Sequence, residues 1–109
     1  MKKNAFFNYF CKDSRTWSRI LNIPTEAIRE ADFNTDNTIY VKWIDGHHIV
    51  LTQDGSDYNI VSKVNGWLEN GRKRYRIGVE SKFLGDLNSV SIVPNGFDNT
   101  IDIFGCVDY

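Results

Sequence analysis

The sequence predicts a mainly β protein on the border of α+β, built as a single antiparallel meander sheet or half-barrel with short N-terminal helices. Two observations on residues 37–109 predict the sheet. Five Asn-Gly or Asp-Gly pairs, Asp45-Gly46, Asp54-Gly55, Asn65-Gly66, Asn70-Gly71 and Asn95-Gly96, punctuate that stretch. Such pairs suit tight hairpin turns whose two central residues need positive φ, which glycine adopts freely and Asn or Asp tolerates. The text between the pairs is rich in Ile, Val, Tyr and Trp, and it alternates apolar with polar. A third observation sets residues 1–36 apart: an aromatic cluster followed by segments with helical spacing.

Phe6, Phe7, Tyr9 and Phe10 form that cluster and read as core or as a cover over an open sheet end. Ser14 or Thr16 is placed to cap a short helix running to about Asn22, with Trp17, Ile20 and Leu21 at helical spacing. Pro24 interrupts. Residues 25–31 predict a second helical piece, with Thr25 as the capping residue, Glu26 in the first turn, and Ile28 with Ala27 or Ala31 facing inward. Strands are then expected over residues 38–44, with Ile39, Val41 and Trp43 on one face, and over 47–53, with Ile49 and Leu51 inward. Residues 58–64 follow, with Ile60 and Val64 sharing a face. Asn65-Gly66 reads as a turn or a bulge. Residues 67–69 then pair with 72–79 across Asn70-Gly71, with Tyr75, Ile77 and Val79 on one side and Arg74 and Arg76 on the other. Residues 89–93 and 100–104 complete the set. No repeat or linker divides the chain, so residues 1–109 are expected to form one domain.

At 109 residues the chain is long enough to bury a core without a metal or disulfide staple. Hydrophobic content of 41% and charged content of 25% argue against disorder. The net charge of −1 gives no general attraction to nucleic acid or to an anionic membrane. Charge is nevertheless uneven. Arg72, Lys73, Arg74, Arg76 and Lys82 crowd one hairpin, while Asp86, Asp98, Asp102 and Asp108 follow in a stretch without Lys or Arg. Cys11 and Cys106 lie near opposite ends, and no Cys/His spacing suggests zinc. Met1-Lys2-Lys3 before Ala5-Phe6-Phe7 imitates a signal peptide, but the apolar run is too short and Asn4 and Asn8 break it. A cytoplasmic protein with reduced thiols is expected, and no membrane partner.

Candidate chemistry is sparse. His47-His48 is the obvious acid–base pair, yet alternation in a strand would send the two rings to opposite faces, and neither an orienting acid nor a nucleophile is specified beside them. Cys11 and Cys106 sit in no nucleophile motif and read as small buried apolar groups. Asp98 and Asp102 do not follow the pattern of a glycosidase or nuclease pair; they read as a solvated face or as an acidic docking patch that imitates nucleic acid. Arg72, Arg74 and Arg76, with Trp67 across the hairpin, resemble a small nucleic-acid surface, although Tyr75 within the run should turn toward the core. No enzyme, cofactor or metal is expected.

The whole chain is small, β-rich, heavy in Asn, Asp and Ile, and without an active-site motif. It opens Met1-Lys2-Lys3-Asn4-Ala5-Phe6-Phe7-Asn8-Tyr9-Phe10 and continues as an Asn/Asp-Gly-rich meander. In this character it resembles the bacterial immunity proteins encoded beside polymorphic toxins, especially those of contact-dependent growth inhibition systems. A phage-encoded inhibitor would share the character. The resemblance is one of style across the chain. It rests on no shared motif, so it carries over no functional residue. It implies a stoichiometric antitoxin in a 1:1 complex with a toxin's C-terminal nuclease domain, a ribonuclease first among them, whose active site it covers or distorts. An interface of about 1,600 Å² would serve. The expected contacts are Asp98, Asp102, Asp108 and Tyr109, with Trp67 as an aromatic anchor. The alternative is a nucleic-acid-binding β domain using Arg72, Arg74 and Arg76.

Overall fold

A computed structural model of the chain describes residues 6–9, 11–12, 19–45, 47–56, 58–79 and 89–106. In chain order the elements are β1 (Phe6–Tyr9), β2 (Cys11–Lys12), β3 (Arg19–Ile23), α1 (Thr25–Glu30), β4 (Tyr40–Asp45), β5 (His48–Thr52), β6 (Ile60–Lys63), β7 (Asn65–Glu69), β8 (Arg72–Val79), β9 (Ser89–Asn95) and β10 (Thr100–Cys106). The mainly β class is as expected. The strands divide, however, into two antiparallel sheets rather than one meander. The larger has the order β1-β9-β10-β5-β4-β6 and the smaller β2-β3-β8-β7.

At one pair of edges the two sheets are joined by a very short corner, since Val64 alone separates β6 from β7. A strand that changes sheet in this way forms a corner of a sandwich, and two sheets stand where one sheet or half-barrel was expected. One core fills the space between the sheets. The larger sheet supplies Val41, Ile49, Leu51, Val90, Ile92, Ile101 and Ile103, and the smaller Leu21, Ile23, Tyr75 and Ile77. Each fully buried aliphatic side chain of this kind contributes roughly 1.5–3 kcal/mol of transfer free energy.

Helix α1 closes one end of this core. Ala27 and Ile28 are buried on it, as its spacing requires, and Ala31 just beyond it is buried too. Thr25 is the first helical residue rather than the cap; Pro24 occupies the cap position and no side chain bonds there. The C-terminus is better secured. Asp32 takes φ 57°, its N–H donates to the Arg29 carbonyl, and the Phe33 N–H donates to the Ile28 carbonyl. This is a Schellman motif with Asp at the left-handed position. Ile28 and Phe33, the pair that packs across such a motif, are both in the core.

Three expectations are corrected. Residues 19–23 form a strand, not the end of a helix, because Leu21 and Ile23 alternate into the core opposite Ile77 and Tyr75 of β8; the proposed cap residues Ser14 and Thr16, with Trp17, lie outside the described residues. Asn65-Gly66 is neither turn nor free bulge but the first two residues of β7, paired with Arg76 and Tyr75. Ile60 and Val64 are separated by an irregularity in the β4–β6 pairing, which brings Ile60 opposite Lys42 while Val64 packs against the core.

The Asn/Asp-Gly pairs prove to do different jobs. Asn70-Gly71 is the turn foreseen, with φ 53° and 77° in succession, as a two-residue type I′ hairpin requires. Asn95-Gly96 closes β9 without positive φ; the left-handed residue of that turn is Asn99. Glycine at 96 is required by space: a Cβ there would stand 2.5 Å from the Glu30 carbonyl oxygen. The Asn99 amide donates to the carbonyls of Ala31 and Asp32 at 3.1 and 3.2 Å. The β9–β10 turn is thereby pinned to the end of α1.

Candidate interaction surface

Register alone assigns the faces of the smaller sheet. Asn65, Trp67 and Glu69 of β7 stand opposite Arg76, Arg74 and Arg72 of β8, and Asn22 of β3 stands opposite Arg76. Tyr75 and Ile77, one position out of phase, are buried. The alternation read from the sequence therefore holds at Arg74, Tyr75, Arg76 and Ile77. The outward face carries arginines beside a half-buried Trp67, whose indole lies 5.1 Å below the Arg76 guanidinium, a cation–π contact. Arg74 Nε sits 3.8 Å from Glu69 Oε2. Arg72, at the strand's first residue, also lines the cleft against α1, so it stands somewhat apart from Arg74 and Arg76. A hollow of about 320 Å³ opens beside Trp67, lined by Asn22, Ile23, Pro24, Glu69, Arg74 and Tyr75. It exists because β3 ends at Ile23 while β8 runs on past it.

The acidic residues of the last third are placed differently. Asp102 lies within β10, half-buried, and its Oδ1 is 2.8 Å from His48 Nε2. His48 also stacks on Phe104, with centroids 4.3 Å apart and planes at 20°. The acid that the sequence did not reveal beside His48 is thus Asp102, brought there because Phe104 pairs with His48 and Asp102 with Val50 across β5 and β10. Alternation along two paired strands could have located it, had the pairing been known. His47 is exposed, and its backbone N–H donates to Asp45 Oδ1 at 2.7 Å. Asp98 lies in the β9–β10 turn, where its Oδ2 accepts from the Asn95 amide at 2.9 Å. Asp108 and Tyr109 lie outside the described residues, as do the side chains of Cys11 and Cys106. The backbone places Cys11 in the smaller sheet and Cys106 in the larger.

Sequence reasoning missed the surroundings of Tyr75. This residue is 5% exposed, and its hydroxyl is buried without a hydrogen-bond partner. Burial, and secondarily the Asp36 carboxylate, push its pKa above the usual phenol value. A cleft of about 590 Å³ separates α1 from the start of β8, and a second of about 320 Å³ lies under residues 35–39. The two share Thr35, Lys73 and Tyr75 in their walls.

Among the described residues no three His, Cys, Asp or Glu side chains gather to hold a metal ion, and no helix is long and apolar enough to cross a membrane. No protein-family model matches the chain, and neither the curated proteins nor the solved structures give a match.

Proposed function

We propose that this chain is a non-enzymatic binding protein of the immunity kind, which neutralises a toxin's nuclease domain by stoichiometric contact. The observation that supports a contact role is the outward face of the smaller sheet. Trp67 and Arg76 are stacked there, Arg74 adjoins them, and a hollow opens beside the indole. Trp and Arg are the side chains most enriched at interface hot spots, and a hollow beside such an anchor suits a partner's side chain. The partner surface that fits is acidic, lying next to the toxin's active site so that docking covers it. Asp98 remains an exposed candidate in the β9–β10 turn. Asp102 is a weaker one, since its carboxylate already engages His48.

The test is co-purification with the nuclease domain encoded next to this chain, followed by calorimetry and a nuclease assay. A 1:1 nanomolar complex that silences the nuclease, lost in Trp67→Ala, supports the reading. A complex indifferent to Trp67→Ala and to Arg74→Glu with Arg76→Glu would discard this face.

A second reading draws on the same face. Two arginines of β8 beside an aromatic on the edge strand β7 suit single-stranded nucleic acid, with phosphates meeting guanidinium groups and a base stacking on the indole. It predicts salt-dependent RNA binding in the absence of any protein partner.

A further inference from the structure

We infer that Asn70 is a site of spontaneous covalent modification, where the Gly71 nitrogen deamidates the side chain and leaves aspartate or isoaspartate at the tip of the β7–β8 hairpin. The inference is independent of the partner-binding reading. An asparagine followed by glycine favours this reaction, because the attacking nitrogen belongs to a residue with no side chain to hinder it. The Gly71 nitrogen gives its proton to hydroxide and forms a bond to the Asn70 Cγ. The bond from Cγ to the side-chain nitrogen breaks, and that nitrogen takes a proton from water and leaves as ammonia. A five-membered cyclic imide remains. Water then opens the ring, giving aspartate by addition at the side-chain carbonyl and isoaspartate by addition at the main-chain carbonyl.

Asn65-Gly66, Asn70-Gly71 and Asn95-Gly96 all have the reactive sequence, and the structure separates them. Attack requires the backbone at the asparagine to swing the next nitrogen onto Cγ, which neither a strand nor a left-handed turn does. The reaction therefore waits on local opening, and its rate follows the cost of that opening. Asn95 is held. Its side-chain oxygen accepts from the Phe97 and Asp98 N–H groups at 3.1 and 3.2 Å, and its amide donates to Asp98 at 2.9 Å. Gly96 lies against the Glu30 carbonyl oxygen, and Asn99 ties the same turn to α1. Asn65 is held differently. It pairs with Arg76, and Gly66 pairs with the buried Tyr75. The Val64 N–H just before it donates to the Ile39 carbonyl at 2.8 Å, so freeing Asn65 takes apart the corner between the sheets.

Asn70 has none of these restraints. Among the described residues no partner holds its side-chain amide. Residues 69–72 are all exposed, and a Cβ built on Gly71 would meet nothing within 4 Å. Tyr75 is the first buried residue of β8, so the tip opens without disturbing the core. The two products differ in consequence. Isoaspartate carries the main chain through the extra side-chain carbon, and a two-residue turn with positive φ at both positions no longer closes the strands in register. Aspartate keeps the turn, since Asp tolerates the left-handed backbone. Either product sets a carboxylate two residues from Arg72.

The experiment is a time course of the intact protein at mildly alkaline pH, folded and in concentrated urea, read by Glu-C digestion and tandem mass spectrometry. Cleavage after Glu69 puts Asn65 and Asn70 in different peptides. In the folded protein Asn70 should lose its amide at least about tenfold faster than Asn65 or Asn95, while in urea the three sites should agree within about threefold. The urea arm separates the effect of the fold from that of the sequence. In the isoaspartate fraction, backbone amides of residues 67–74 should exchange with solvent about tenfold faster than in the parent. Asn70→Asp should leave that exchange unchanged. Equal rates at the three sites of the folded protein, a faster rate at Asn65 or Asn95, or an intact Asn70 when half of it has reacted in urea would each overturn the inference.

Discussion

His48 Nε2 lies 2.8 Å from Asp102 Oδ1, tying β5 to β10 on the outer face of the larger sheet. The contact gives Asp102 a structural role. A lysine at position 102 would therefore do two things at once: reverse a surface charge and break a cross-strand contact. Both side chains are about one-quarter exposed, so screening keeps the pair modest. A double-mutant cycle on His48→Ala and Asp102→Ala, read by urea unfolding, should give a coupling of about 0.5–1 kcal/mol. A coupling indistinguishable from zero would mean that the contact contributes nothing to stability.

The β9–β10 turn should be far less tolerant than its exposure suggests. Asn99→Gly keeps the left-handed backbone but gives up both hydrogen bonds to the end of α1, at a cost of about 1–2 kcal/mol. Asn99→Ala adds the strain of a Cβ at φ 55°, about 1 kcal/mol more. Gly96→Ala should cost at least as much, because its Cβ meets the backbone oxygen of Glu30, which cannot swing aside. Phe97→Ala, between them and 80% exposed, should fall within about 0.5 kcal/mol of the parent. Thermal unfolding of the four variants checks the order. Equal losses at all sites would refute the pinning of this turn.

Tyr75 makes an alkaline prediction. Its folded pKa is raised above the phenol value it regains on unfolding, by burial first and by Asp36 second. Below the unfolded value, about 10, both states carry the proton and stability is unaffected by this group. Above it the unfolded chain loses the proton more readily, so stability falls as pH rises toward the folded pKa. Tyr75→Phe should remove that part of the decline. Denaturant midpoints of both proteins from about pH 9 upward would test it; parallel curves would mean that the phenol titrates alike in both states.

The alternation of apolar residues made most strands legible, and residues 72–79 matched β8 to the residue. Alternation is a local property, set by which face meets the core. What stayed hidden was non-local. The division into two sheets depends on Val64 acting as a corner between β6 and β7, and nothing in a valine announces a corner. The segment ending at Asn22 looked helical because Trp17, Ile20 and Leu21 fit a helical period; pairing of residues 19–23 with β8 outweighed that local preference. Glycine pairs signalled turns, but Gly96 is explained by a neighbour distant in sequence, the Glu30 carbonyl. For the candidate surface, the sequence set Trp67 across the hairpin from the arginines, and the register puts it opposite Arg74. The sequence could not see that Asp102 would meet His48, because that contact needs the register of β5 on β10.

Charge reversal at the two candidate sites separates the possible contact faces. If the toxin docks on the Trp67 face, Arg74→Glu with Arg76→Glu should slow association and flatten its salt dependence, since exposed charges act mainly on the encounter rate. Trp67→Ala should act on dissociation instead. An aromatic anchor commonly contributes 2 kcal/mol or more, so the complex should dissociate about 30-fold faster. Asp98→Lys is the matched control, because that residue is exposed and its bond to Asn95 lies within its own turn. It should leave both rates within about twofold. The change avoids Asp102, whose loss would confound binding with stability. Surface-plasmon resonance against the immobilised nuclease domain reads all three. If Asp98→Lys instead slowed association while the arginine reversals did not, the β9–β10 turn would belong to the docking surface and the Trp67 face would be discarded. If none of the changes mattered to the toxin but the arginine reversals abolished RNA binding, the face would belong to nucleic acid.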